Sequence, residues 1–323
     1  MQTKYETVTI FIKRRNKRRK QLFKKYRMIL RICAFMLSAS LLLFGIGTDT
    51  YAKTNAKKEN KSDQSTECSY KNKEKIYLDK NWKYADHAKI TSGYAVFYKA
   101  KKNRKNIIVG INAGHGTSNV GSKKTLCHPD GSKKVTGGTT KAGSTEAIAV
   151  SGGMTFRDGT KESTVTLKMA KILRKKLLAE GYDVLMIRTG KDVQLDNVAR
   201  TVICNNVADI HIALHWDGDG LKYDKGCFYI GVPDKLKTMK PVKNHWEQHE
   251  ALGNALIKGL KKHKVKINGK GRMAIDLTQT SYSTIPSVDM ELGNQASDHS
   301  DEALEKLADG LTAGVKKFAK KYL

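Results

Sequence analysis

Two histidines and two carboxylates stand where a hydrolytic site would need them. His115 follows the apolar run IIVGIN (107–112), inside the Gly-flanked turn GHG. Glu162 opens a helical pattern over 163–180, in which Val165, Met169, Ile172, Leu173 and Leu177 recur at helical spacing and Gly181 is a natural C-cap. His215 ends the run ADIHIALH (208–215), and Glu291 sits near the end of SVDMELG (287–293). Zinc in hydrolases takes three protein ligands and keeps a fourth position for water. His115, Glu162 and His215 supply two imidazoles and one carboxylate for one Zn²⁺. Glu291 is then the group that takes the proton of the attacking water and returns it to a leaving amine.

Each residue also has a plainer reading. His115 could be a turn residue among glycines. Glu162 could be a helix-start charge set against the helix dipole, and Glu291 the partner of a nearby lysine. Their joint placement favours the site: three lie at the carboxyl ends of strands, where open α/β sheets form their clefts, and the fourth lies where a helix returns to the sheet. Glu146, in the long Gly/Thr/Ser-rich stretch 113–161, competes for the carboxylate position but has no helix to direct it. His128 in the same stretch is a further alternative. His211 and His215 are four residues apart on a strand, roughly 13 Å between Cα atoms, too far to share a metal. His245 and His249 are one helical turn apart, but HWEQH places its glutamate third rather than second, unlike HExxH.

The elements that must carry these groups alternate. Strands are expected over 107–112, 183–188, 208–215, 227–232, 272–277 and 287–293, and helices over 163–180, 196–206, 246–263 and 301–321. Such alternation predicts a single α/β domain with a mostly parallel central sheet flanked by helices. A loop as long as 113–161 in a compact domain usually serves function or is disordered.

The chain carries 60 Lys and Arg against 31 Asp and Glu. That surplus suits a solvated basic surface or an anionic partner such as a phosphate-rich wall polymer. Nucleic acid is not expected: there is no zinc-finger spacing, no RRM-like aromatic signature and no basic helix leading into heptads. Residues 1–31 hold twelve Lys or Arg and one acid, Glu6, and are followed by the apolar stretch 32–47. At sixteen residues it falls short of the roughly 20 a membrane span needs. It fits a signal-peptide core before Thr50-Tyr51-Ala52, with an uncleaved anchor as the rival. Either way the bulk of the chain is expected outside the membrane, secreted or associated with the wall. The organisation read is a basic leader and signal peptide or anchor (1–52), a flexible polar linker (53–74), a lead-in segment (75–105) and a catalytic domain (106–323). Cys68, Cys127, Cys204 and Cys227 allow three pairings, and no CxxC spacing points to a cysteine-built metal site.

The stretches GHG (114–116), KESTVTLKMAKILRKKLLAEGYDVLMIRT (161–189), LDNVARTVICNNVADIHIALHWDG (195–218) and VDMELGN (288–294) resemble the zinc-dependent N-acetylmuramoyl-L-alanine amidases. The resemblance covers roughly 105–320. It implies a central sheet of about six strands, one Zn²⁺ on His115, Glu162 and His215, a catalytic Glu291, and peptidoglycan as substrate, cut between N-acetylmuramic acid and L-alanine. Arg188 and Arg200 match family arginines and are expected to be structural. Two departures stand out. Asp217 replaces the usual Asn two residues after the second His, and Ala213 replaces a small hydroxyl residue two before it. A zinc peptidase acting on wall peptides and a non-catalytic wall-binding protein of the same fold are the alternative functions.

Overall fold

The computed structural model describes residues 70–323. The basic leader, the apolar segment 32–47, Cys68 and most of the polar stretch 53–74 therefore lie outside the described residues. Among those described, no helix is long and apolar enough to cross a membrane.

Ten strands and five α-helices follow in chain order: β1 (Lys75–Tyr77), β2 (Tyr94–Tyr98), β3 (Ile108–Ala113), β4 (Lys124–Leu126), β5 (Glu146–Ile148), α1 (Glu162–Ala179), β6 (Asp183–Met186), α2 (Asn197–Val207), β7 (Ile210–Asp217), β8 (Cys227–Gly231), α3 (Val242–Lys262), β9 (Ile267–Ala274), α4 (Thr278–Tyr282), β10 (Ser287–Asn294) and α5 (Asp301–Tyr322). Eight strands form one sheet in the order β1-β2-β6-β3-β7-β10-β8-β9. The pairs β6–β3, β3–β7, β7–β10 and β8–β9 are parallel, and β1–β2, β2–β6 and β10–β8 antiparallel. The sheet is thus an α/β sheet, wider than the six strands expected. The two extra strands come from the lead-in segment, where Tyr94–Tyr98 pairs antiparallel with β6 and recruits Lys75–Tyr77. The segment joins the sheet itself, and Tyr70 packs its ring on Phe97 at 5.5 Å. Within the long stretch 113–161, β4 and β5 pair antiparallel across the intervening residues 127–145.

Pleating sorts the residues of the central strands between two faces. Ile210, Ile212, Leu214 and Trp216 of β7 and Val288, Met290 and Leu292 of β10 join one core with Val165, Met169 and Leu173 of α1, Leu252 and Leu256 of α3, and Leu304, Leu311 and Phe318 of α5. The helices α3 and α5 approach closely because Gly259 faces the backbone of Gly310 and Gly314, where a Cβ would collide. The opposite face receives α2 through Ala199, Ile203 and Cys204, against Ile108, Leu185 and Ile187. The alternate residues of β7 and β10 belong to this second face: His211, Ala213, His215 and Asp217 on one strand, Ser287, Asp289 and Glu291 on the other. A fully apolar strand would bury hydrophobes on both faces. These two strands carry polar groups on one of them, from His211 and Ser287 at the amino end to His215 and Glu291 at the carboxyl end of the sheet. The three cysteines among the described residues, Cys127, Cys204 and Cys227, are unpaired and buried.

Candidate metal centre and active site

His115 lies two residues beyond β3 with a left-handed backbone, φ 60°, followed by Gly116 at φ 70°. A non-glycine residue in that region costs stability unless its surroundings hold it. Two buried arginines do so. Arg200, from α2, donates to the carbonyl oxygen of His115 at 2.8 Å and to Thr117 Oγ1 at 2.8 Å. Arg188, just past β6, donates to the carbonyls of Ala113 (3.2 Å) and Gly114 (3.0 Å). Both guanidiniums thus spend part of their donors on the turn that carries His115, and the rest on Ser163, Gly190 and Leu195 carbonyls around it.

The His115 ring is oriented from the other side. Its Nδ1 lies 2.8 Å from the carbonyl oxygen of Ser151, which accepts the ring proton. That leaves Nε2 with its lone pair free to face inward. Glu162, at the first turn of α1, is buried and held by two backbone donors. Trp216 N–H donates to Oε1 at 3.0 Å, and Met154 N–H donates to Oε2 at 2.8 Å. His215 projects from β7 with Nδ1 inward.

Three donor atoms converge: His115 Nε2 to Glu162 Oε1 at 2.9 Å, His215 Nδ1 to Glu162 Oε1 at 3.2 Å, and His215 Nδ1 to His115 Nε2 at 3.0 Å. Two nitrogen lone pairs and a carboxylate oxygen so close need a proton or a cation among them. Ligand atoms of a tetrahedral zinc, at bonds of about 2.1 Å, stand about 3.4 Å apart, so the triangle is a little tighter than that and of the right shape. Gly114 and Gly153 make room for it. A Cβ on Gly153 would lie 2.7 Å from the His115 ring and 2.8 Å from Glu162 Oε2, and one on Gly114 would strike the His215 ring. Among the described residues this is the one group of three or more His, Cys, Asp or Glu side chains gathered closely enough to hold an ion. The chemistry of the donor set and the space around it fit zinc.

The charges agree with that geometry. Burial disfavours the Glu162 carboxylate, but its contacts with His115 and His215 outweigh that and hold its carboxyl well below the usual range. Burial also works against charging His215, yet the carboxylates of Asp289, Glu162 and Glu291 raise its imidazole to about 10. Positive charge is favoured at this point. Glu291 lies beside His215 in the β7–β10 register. Burial first, then the neighbouring charge of Asp289, pushes its carboxyl well above the ordinary value, and its Oε2 is buried without a hydrogen-bond partner.

The rival residues stand elsewhere. Glu146 is exposed on β5, paired across to Leu126. His128 is fully buried between Ser132 Oγ at 2.8 Å and Asp276 Oδ1 at 2.9 Å. His249 accepts from Ser287 N–H at 2.9 Å, at the amino end of β10. Asp217 pairs with Lys225, which also meets Asp219 at 2.8 Å, so the acidic departure at this position is answered by a cation from the next loop. Asp289 is the neighbour that sequence reading missed. The alternation D-x-E in VDMELGN signals a strand with two acids on one face, but only the register with β7 sets them beside His215.

Fold and site define a class: an α/β domain with a mononuclear donor set at the carboxyl end of its sheet. The Amidase_3 family profile, N-acetylmuramoyl-L-alanine amidase, matches residues 109–317. The chain belongs to that family. Its fold is similar to that of the N-acetylmuramyl-L-alanine amidase Ami1 from Mycobacterium smegmatis, at 17% identity and a TM-score of 0.56, over 67% of this chain and 97% of that one. Ami1 from Mycobacterium abscessus, in its apo form, gives 20% identity and a TM-score of 0.55 over 66% of this chain and 98% of that one. At such identities the likeness is one of fold. No curated protein sequence matches the chain.

Proposed function

We propose that this protein is a zinc-dependent amidase that hydrolyses the bond between N-acetylmuramic acid and L-alanine in peptidoglycan. His115, Glu162 and His215 hold a single Zn²⁺, and Glu291 is the catalytic acid–base. The observation that carries the reading is the triangle of donor atoms 2.9–3.2 Å apart at the carboxyl end of the sheet. A zinc ion bound there polarises the scissile carbonyl and lowers the pKa of an attacking water toward about 7.

The protein's own groups do the rest. Ser151 and the backbone amides of Trp216 and Met154 fix two of the three ligands before any ion arrives, which lowers the reorganisation needed for binding. Glu291 accepts the proton of the attacking water and delivers it to the departing L-alanine amine. A carboxyl raised by burial holds the proton it accepts more firmly than an exposed glutamate would, and can carry it to the amine. Family membership supports peptidoglycan as the substrate. The basic surface, with 60 Lys and Arg against 31 acids along the whole chain, draws the enzyme toward anionic wall polymers. The leader 1–52 exports it, with residues 32–47 as signal core or anchor, the polar residues after it act as a tether, and the enzyme works outside the membrane in the wall.

Mass spectrometry of muropeptides after incubation with the zinc-loaded protein tests this. The expected products are stem peptides with a free L-alanine amine and intact muramic acid. Muramoyl-alanine left in place, with cuts inside the stem, would instead identify a wall peptidase. Stoichiometric zinc without turnover on any wall preparation would identify a binding protein.

A further inference from the structure

Asp289 has no part in the chemistry described so far, yet its surroundings are costly. It lies on β10 directly beside Ala213 of β7, two residues before Glu291 and on the same face. Its residue is 8% exposed. Its Oδ1 is buried without a hydrogen-bond partner. Its Oδ2 stands 3.8 Å from His215 Nε2, an ion-pair contact too long for a hydrogen bond. Leaving a buried carboxylate so poorly satisfied costs a folded protein free energy, and nothing in the packing of β10 demands an acid there.

His215 explains the acid. Its Nδ1 faces His115 and Glu162, so Nε2 is the nitrogen left over. Neutral imidazole carries one proton on one of its two nitrogens. Nδ1 can offer a lone pair to an ion only if the proton sits on Nε2. Asp289 is the carboxylate set against Nε2, at 3.8 Å. The first histidine has its own version of the same device, with the Ser151 carbonyl accepting from Nδ1 and leaving Nε2 inward. The two ligands thus use opposite nitrogens, each with an acceptor on its far side. One acceptor is a neutral carbonyl from the loop, and the other is a charged side chain from the sheet.

We propose that Asp289 is the positioning residue of the metal centre: it keeps the His215 proton on Nε2 and holds the ring so that Nδ1 faces the ion. The proposal rests on the zinc reading above. Such outer partners of ligating histidines raise ligand basicity and fix the tautomer, and their loss weakens metal affinity about 10- to 100-fold.

The test compares the whole protein with Asp289→Ala and Asp289→Asn. Zinc affinity is measured by competition with a chromophoric chelator, the visible spectrum is recorded after cobalt(II) replacement, and Tm is measured on metal-free protein. Expected for Asp289→Ala is zinc binding about 10- to 100-fold weaker, a shifted cobalt spectrum, and a metal-free Tm equal to or above that of the parent, because an unsatisfied buried acid has gone. Asp289→Asn keeps an acceptor oxygen without the charge and is expected between the two. Unchanged zinc affinity and cobalt spectrum in Asp289→Ala, with the parent binding one equivalent of zinc, would overturn the role of Asp289 and leave the metal centre standing. So would a loss of affinity that only tracks a fall in metal-free Tm and leaves the cobalt spectrum unaltered. A parent protein that fails to bind one equivalent of zinc would overturn the metal centre, and the role of Asp289 would fall with it.

Discussion

His211 and His215 stand on the same strand, point to the same face and lie largely inside the protein, and their surroundings oppose one another. His215 is ringed by Asp289, Glu162 and Glu291, and its imidazole is raised to about 10. His211 is buried, and Arg200 and His249 are the charges that reach it, so it is lowered to about 3. His249, one helix away, is likewise lowered to about 3, by burial first and then by His245. Burial of a histidine says little about its role. What separates a prospective ligand from a structural imidazole is the sign of the charges gathered round it. On β7 that sign reverses within four residues, as the strand runs from the amino to the carboxyl end of the sheet.

The contrast can be broken at its strongest point first. Replacing Glu162 with Ala removes the oxygen that His115 and His215 both face. Zinc content by elemental analysis is expected to fall from one equivalent to none, and turnover with it. Replacing Glu291 with Gln leaves the triangle untouched. One equivalent of zinc should remain while kcat on muropeptides falls by roughly 10²–10⁴. A Gln variant with normal kcat would remove Glu291 from the mechanism.

The other half of the comparison concerns stability. His211 and His249 have folded pKa values lowered from 6.5 to about 3. Above pH 6.5 both are neutral whether folded or not, and they cost nothing. As pH falls below that, the unfolded chain takes up protons that the folded one refuses, so stability is lost from about pH 6.5 down toward 3, by up to about 1.4 kcal/mol per pH unit for each imidazole. Denaturant midpoints measured from pH 7 to 5 should fall on this schedule. The smallest effect sharpens the contrast: His211→Leu should leave zinc affinity and turnover as they are and make the acid loss shallower by about one proton. Weakened zinc binding in that variant would show that the two histidines are not separate.

Much of this arrangement was legible in the amino-acid sequence. IIVGIN, ADIHIALH and SVDMELG announce strands by their apolar runs, and the pattern from Val165 to Leu177 announces a helix. His115 and His215 then fall at strand ends and Glu162 at a helix start, with no three-dimensional information. Lys75–Tyr77 and Tyr94–Tyr98 were harder: short strands at one side of the sheet, joined by an irregular segment, have no hairpin turn and little apolar length to mark them. The partnership of Asp289 with His215 was out of reach for a different reason. Within one strand an acid two residues before another is only an alternation. Its meaning depends on which residue of a strand seventy-six positions earlier lies beside it, and a slip of one position would have turned both acids toward the apolar helices.

The return of the long 113–161 stretch to the site has a further consequence. Its last residues are built into the site: Ser151 receives the His115 ring proton, Gly153 leaves space beside His115 and Glu162, and Met154 pins Glu162. Its outer portion is tied down at a second place: Cys127 N–H donates to the Thr145 carbonyl at 2.8 Å, His128 meets Asp276 at 2.9 Å, and Val135 N–H donates to Asp276 Oδ2 at 2.7 Å. The excursion thus has two anchorages, one beside His115 and Glu162 and one on the segment that follows β9. Loosening the second, by replacing Asp276, leaves in place every bond that orients the first.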